Sequence, residues 1–395
     1  NFFFKDSDKK YEFEKNNFKK KFYEEYGLKE IIPTTAGRVA FYYAVKSLVD
    51  KEKNKVIICP FTIFDMINMI KLAGGQPIFI DTEPNTTNID IKKLENIISV
   101  DKSTAAILIT HYHTLDKNFK EIRHLCKKYN IKIIEDCAIS IGSKKTFSES
   151  DFVFFSFGIF KFISTFIGGA LYIKSDETRS LVNKELNNFE IIKPIDYFFF
   201  FIKGLKFKIA LNKFFFNLFI FPVIKFGQNN NVTFIKDLVN NDPSPFLRNK
   251  LDNYMQKRLS PFQMREIVKQ HDSLIINKNK RYENYLIYYE NLKNLKHVFV
   301  PEYPNKDEDC YLAFPIVLKK KKEFLIKLIN SGFDLSENFY RNCSNLKIFE
   351  KLSTGQLENI NYYSNNILLL PCYPGISKQY LVKLTDEIKK IDQLI

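Results

Sequence analysis

Between residues 56 and 174 the chain alternates short apolar runs with amphipathic stretches long enough to be helices, and this limits the fold more than any other feature. Strand-like runs fall at 56–59, 77–80, 105–110, 131–135, 152–156 and 169–173, with helices at 62–73, 90–99 and 117–129 between the first of them. Such a succession builds an α/β domain, a mostly parallel sheet with helices on both faces. Sheets of that kind bind ligands outside the carboxyl ends of their strands. Those ends are where chemistry is to be sought.

Two of them carry suitable residues. The run Ile131-Lys132-Ile133-Ile134 ends in Glu135-Asp136-Cys137, and the run Asp151 to Phe157 delivers Lys161 just past its end. A strand-end Asp and a strand-end Lys suit pyridoxal phosphate (PLP): the amine joins the cofactor as a Schiff base, and the Asp keeps the pyridine nitrogen protonated. On these two residues alone, a helix-capping Asp and one of many surface lysines explain the pattern as well. Upstream, residues 8–30 read as a charged amphipathic helix, and Pro33-Thr34-Thr35-Ala36-Gly37-Arg38 as a turn into a helix from Val39 to Val49. A helix start of this kind exposes unpaired N–H groups and can take a phosphate, though many helices start so without a ligand.

Six blocks in order resemble the DegT/StrS family of PLP-dependent sugar aminotransferases. Glu135-Asp136-Cys137-Ala138 is similar to the family's Glu-Asp-Ala-Ala, and Asp151 to Lys161 to its Asp…Phe-Ser-Phe-x-x-x-Lys, with Gly168 and Gly169 following. Val56 to Thr62, Ala73 to Asp81, Asn88-Ile89-Asp90 and Leu369 to Ser377 resemble further blocks, over roughly residues 20–190 and 250–395. The resemblance implies a fold-type I transferase: a large domain on a mostly parallel seven-stranded sheet, and a smaller C-terminal α+β domain. It implies Lys161 as the catalytic lysine, Asp136 on the ring nitrogen, and Gly37, Arg38 and Ser156 on the phosphate. It also implies L-glutamate as donor, a keto-sugar nucleotide as acceptor, and a homodimer in which Gln256 or Arg258 reaches the other subunit's cofactor. His111 and Arg258 are candidate substrate residues; His111 and His113 flank Tyr112 at a strand end. The expected units are a helical segment over 1–32, a PLP-binding domain over 33–192, an insertion over 193–250 and the small domain over 251–395.

The departures bear on tuning. The family's aromatic ring after the second-strand Thr is here Ile63, with Phe61 and Phe64 as substitutes. Its Gln or His three residues past the Asp is Ile139, and its Asn-Tyr-Arg-Met-Ser block reads Gln256-Lys257-Arg258-Leu259-Ser260. A non-catalytic scaffold that keeps the fold is therefore an alternative reading. A dehydratase branch replaces the lysine with His, and Lys161 argues against it.

Sixty Lys and Arg against 45 Asp and Glu leave a net charge of +15, part of it the bias of a chain with 40 Phe, 21 Tyr and no Trp. No zinc-finger, helix-turn-helix or RNA-binding signature accompanies the charge, so nucleic acid is not expected as a partner. The six cysteines show no paired spacing and read as buried free thiols of a reducing compartment; the histidines show no metal-ligand spacing, so no metal is expected. The chain opens Asn1-Phe2-Phe3-Phe4 without a signal-peptide pattern, which makes a cytoplasmic protein the expectation.

Tyr197 to Phe226 has no counterpart in the family blocks. Its longest charge-free run, Phe214 to Ile224, is 11 residues, short of the roughly 20 a span requires. Six lysines against one acid (Asp196) across 193–225, set among Phe and Ile, is the composition of a segment lying on an anionic membrane, where each lysine contributes about 1 kcal/mol. A Phe-rich insertion packed inside the protein or at a dimer interface has the same composition.

Overall fold

The computed structural model describes residues 2–112, 115–143, 147–230, 232, 244–335, 340–352 and 355–395. His113 lies outside them. A long helix α1 (Phe2–Tyr26) is followed by β1 (Ile32–Thr34), α2 (Gly37–Lys46), β2 (Lys55–Ile58), β3 (Phe61–Thr62), α3 (Phe64–Leu72), β4 (Gln76–Phe79), α4 (Ile91–Val100), β5 (Thr104–Thr110), α5 (Phe119–Tyr129), β6 (Lys132–Asp136), β7 (Phe152–Ser156) and β8 (Gly169–Ile173). Seven of these strands make one sheet in the order β1-β8-β7-β6-β5-β2-β4. Neighbours from β7 to β4 pair in parallel, and β8 alone runs against the rest. The mostly parallel seven-stranded sheet is as expected.

Residue alternation divides the sheet's faces. Ile58, Leu108, Ile134 and Phe154 pack with α2 and α3 on one face. Ile57, Ile107, Ile109 and Ile133 pack with α4 and α5 on the other. Val153, Phe155 and Phe157 meet Phe18, Phe22 and Tyr26 of α1, so the N-terminal helix is built into the large domain's core. Local signals set the helix ends: Asp90 accepts from the Lys93 N–H at 3.1 Å to start α4, and Asn130 in left-handed conformation (φ 53°) ends α5.

After α6 (Asp176–Asn187) come two helices, α7 (Pro194–Ala210) and α8 (Lys213–Asn229), bent by 62° where they meet. The chain then forms α9 (Pro261–His271) and the long α10 (Leu274–Leu292). The strands β9 (Val298–Phe299), β10 (Ala313–Leu318) and β12 (Ile367–Pro371) form a three-stranded antiparallel sheet, covered by α10, α11 (Lys321–Asn330) and α13 (Lys378–Gln393). Between them β11 (Arg341–Asn342) pairs with β3, and α12 (Glu358–Asn366) docks Ile360 and Tyr363 into the large domain's core. Leu259, Met264 and Ile267 also pack with α1, so the chain passes from one core to the other within α10, some twenty residues beyond position 251. All six cysteines are buried and free.

Candidate active site

β5, β6 and β7 end side by side at Thr110, Asp136 and Ser156. Thr110 and Asp136 are register partners, which places both side chains on the α2–α3 face. Asp136 is buried, accepts the Ala138 N–H at 2.9 Å and is bonded by the Thr110 side chain. Burial pushes its carboxyl up to about 6, against those bonds and the charge of Lys161. Lys161 follows β7 on a loop, half-buried, and burial lowers its amine to about 8. Asp136 opposes that shift, and the Arg38 cation adds to it. The two groups predicted from sequence thus stand within each other's field, both held near the neutral range.

The loop that carries Lys161 is closed on itself and clamped from outside. Phe157 donates to Gly168 O at 2.8 Å, and Thr165 donates to Phe157 O at 3.0 Å. From α9, Gln270 accepts the Ser164 N–H at 2.9 Å and donates to Ser164 O at 3.0 Å, while Gln263 donates to Ile167 O at 3.3 Å. Arg281 of α10 lies over the Phe162 ring at 4.7 Å. No motif marked these clamps, because each joins residues about a hundred positions apart.

Beside this loop, the start of α2 presses on the end of β7. A Cβ added to Gly37 would fall 2.8 Å from Ser156 Cβ, so only glycine lets the helix N-terminus come this close. Next to it the Thr35 hydroxyl is buried without a hydrogen-bond partner. A backbone cradle, a serine and an orphaned hydroxyl at a helix start suit a phosphate, with Asp136 and Lys161 placed for a pyridine nitrogen and an aldehyde: the residues present fit PLP. The Arg38 guanidinium pairs with Asp65 at the start of α3. Arg248 reaches the same carboxylate with Nε at 2.9 Å, also pairs with Asp252 at 2.7 Å, and is backed by Asn68. Burial would raise Asp65, yet Arg248 and Arg38 hold it below the usual carboxylate range. Asp65 had one signal in the sequence, an acid inside the apolar stretch Phe64-Asp65-Met66-Ile67.

The other sequence candidates lie elsewhere. His111 is buried on the opposite face from Asp136, its Nε2 2.8 Å from Glu135 and its Nδ1 accepting the Asp116 N–H at 3.1 Å. Glu135 also accepts from Ser150, and the ligand atoms of His111, Glu135 and Cys137 lie within 4.8 Å of one another, a grouping spacing alone did not reveal. Arg258 donates to Phe189 O at 2.8 Å and covers the Tyr11 ring at 4.7 Å; exposed Gln256 donates to Leu251 O at 3.1 Å. Ile63 is half-buried at the start of α3, and Ile139 is buried in the core. Phe61 packs against Tyr112, Tyr340 and Tyr363, and Phe64 against Phe246. The rings within reach of the Asp136 charge are Tyr112 and Tyr340, the latter supplied by the C-terminal part of the chain.

Comparison with known proteins points to the same class of chemistry. A UDP-4-amino-4,6-dideoxy-N-acetyl-β-L-altrosamine transaminase of Campylobacter jejuni is 25% identical over 392 residues, covering 95% of this chain and 90% of its own. A GDP-perosamine synthase of Escherichia coli O157:H7 is 32% identical over 167 residues, 41% of this chain and 44% of its own. Among solved structures, PseC of Helicobacter pylori, an aminotransferase involved in the biosynthesis of pseudoaminic acid, superposes with a TM-score of 0.72 at 18% identity, over 97% of this chain and 92% of its own; at that identity it speaks for the fold. The sequence pattern of the DegT/DnrJ/EryC1/StrS aminotransferase family matches residues 9–198 and 255–389 and skips the stretch between them. The chain therefore belongs to the DegT/DnrJ/EryC1/StrS family and is a PLP-dependent aminotransferase rather than a scaffold that has lost its chemistry.

Proposed function

We propose that the protein moves an amino group from L-glutamate to a nucleotide-linked keto-sugar. The observation that carries this reading is the meeting of Asp136 and Lys161, with opposed pKa shifts, beside the Gly37–Ser156 cradle. The printed names of relatives that aminate UDP- and GDP-linked sugars support the acceptor class. PLP, when bound, supplies an aldehyde carbon that bonds amines reversibly and a ring that takes up an electron pair. Lys161 Nζ anchors it and, near its value of about 8, carries the proton between the two reacting carbons. Asp136 holds its negative charge against the ring nitrogen, and buried Tyr112 and half-buried Tyr340 keep water from it. The backbone N–H groups of Gly37 and Arg38, with the Ser156 hydroxyl, take the phosphate. In a homodimer, exposed Gln256 is the residue offered to a partner's cofactor; Arg258 is held by its own chain.

A lipid-linked sugar is a second acceptor class, supported by the exposed apolar surface of α7 and α8 beside the Lys161 loop. The protein with PLP and glutamate should be given UDP-, GDP- and dTDP-linked keto-sugars and the products weighed by mass spectrometry. An amino-sugar product absent with Lys161→Ala supports the reading. Glutamate consumed with no product from any nucleotide sugar contradicts the acceptor class.

A further inference from the structure

α7 from Phe199 onward and all of α8 lie in the stretch that the family pattern skips, and the site just described does not use them. Their side chains are apolar where a surface helix is ordinarily polar. No residue of α7 is buried. Phe199 is 76% exposed and Phe214 66%, and nearly half of the exposed large apolar side chains among the described residues fall between 195 and 226. Between them stand Lys203, Lys206, Lys208 and Lys213, all exposed and without an ion-pair partner among the described residues. The one acid of the segment, Asp196, is spent on the Lys193 N–H at 2.8 Å.

The pair is tied to the rest of the chain along its inner side, where Phe200 meets Tyr254 at 5.2 Å, and at its far end. The last turns of α8 anchor on α11: Ile224 and Gly227 are buried, Lys225 donates to Asn330 O at 3.2 Å, and Asn229 donates to the Asn330 side chain at 2.9 Å. The inner side of α7 lies on the catalytic loop. Phe207 meets Phe160, the residue before Lys161, at 5.2 Å, and Phe201 meets Phe166 at 5.9 Å. A Cβ at Gly204 would fall 2.5 Å from the Phe166 ring, so the helix backbone sits directly on that loop. A groove lined by Ile195, Phe199, Leu251 and Tyr254 follows the foot of α7, and Tyr254 lies close enough to Arg38 for the cation to act on its hydroxyl.

We propose that α7 and α8 are a membrane-docking surface: the bent pair lies in the headgroup–acyl boundary of an anionic phospholipid bilayer and brings the Lys161 loop to it. No single helix is long and apolar enough to cross a membrane, and the pair reaches the required length and apolarity only across its 62° bend. Lysines interspersed along α7 meet phosphates in the interface and would be stranded in the acyl core. A second copy of the chain fits this surface poorly. A two-fold contact would set four unpaired lysines against the same four of its mate, with no free acid on the segment to offset them. The lipid surface supplies both the apolar layer and the negative charge. Only the place given to Lys161 rests on the proposed function; docking does not.

The chain contains no tryptophan, so one introduced tryptophan reports from one place. Phe199→Trp, Phe214→Trp and, as control, Val100→Trp on α4 (85% exposed in the native chain) are mixed with vesicles of phosphatidylcholine alone or with phosphatidylglycerol. PLP absorbance before mixing certifies the fold of each. Emission at 199 and 214 should move to the blue with anionic vesicles and be quenched by brominated acyl chains, while position 100 stays unchanged. Replacing Lys203, Lys206 and Lys213 together with Gln should weaken binding to anionic vesicles by about a hundredfold. Emission that ignores vesicles of either composition overturns the proposal. So does emission at 199 and 214 already blue in lipid-free protein and rising in blueness with protein concentration, which assigns the surface to a second copy. Because no readout uses activity, a failure to aminate any sugar leaves the docking result standing, and the reverse.

Discussion

At the ends of β5, β6 and β7, Phe154, Phe155 and Phe157 are enclosed and a half-buried lysine stands beside a buried aspartate; on α7 and α8, Phe199 and Phe214 face outward among lysines that meet no acid among the described residues. Similar side chains are used in opposite ways. In the first region burial removes water from Lys161 and Asp136 and moves each toward neutrality, which makes a surface-like pair chemically active. In the second, lysines keep their water, and the apolar rings around them cost the chain solubility unless something covers them. The family pattern runs through the first region and omits the second. The chemistry thus sits on the part of the chain that the family pattern matches, and the exposed apolar surface on the part it leaves out.

The sharpest way to break the first half of the comparison is to remove its amine. Lys161→Ala should abolish the Schiff-base absorbance of the PLP-loaded protein and lower amine transfer by about 10²–10⁴-fold or more, measured as single-turnover rates. Asp136→Asn should cost nearly as much in rate while making the apoprotein more stable. Folded Asp136 holds its proton up to about 6, above the unfolded carboxyl. Its contribution to stability is therefore fully present below the unfolded value and lost as pH rises through about 6. At pH 7 the Asn variant should gain on the order of 2 kcal/mol in denaturant melts, and the gain should vanish below pH 4.

A smaller effect separates positioning from catalysis. Gln270→Ala leaves both backbone groups of Ser164 unpartnered and should cost about 1–3 kcal/mol of stability. Its PLP should leave faster on dialysis, while donor turnover at saturating PLP falls little. Gln270→Glu, which restores the acceptor alone, should fall between. The least change is in pH: capture of PLP by the apoprotein requires the neutral amine, so its rate should rise about tenfold per pH unit below about 8 and level off above it, followed by stopped-flow absorbance.

The strands were legible because each is a short buried apolar run between polar breaks, and β7 and β8 fall at the expected residues. Asp136 and Lys161 were legible for a related reason: strand ends point where the sheet opens. What escaped was set by packing between distant segments. Nothing in the periodicity near 248 says that Arg248 closes on Asp65, or near 270 that a glutamine holds Ser164. His111 looked like a site residue by its place in the chain, yet strand alternation turns it to the Glu135 face. The Phe/Lys segment was readable as composition only; that its rings face outward and its inner side rests on the Lys161 loop required the structure.

The central claim is that buried Asp136 and half-buried Lys161 perform amine transfer, and one half-reaction tests it. PLP-loaded protein is mixed with L-glutamate alone, and absorbance and 2-oxoglutarate are followed together. Conversion of the cofactor to its pyridoxamine form, with one 2-oxoglutarate for each site and no conversion in Lys161→Ala, is the expected result. Protein that binds PLP yet leaves it unchanged with glutamate and every other amino donor would contradict the account.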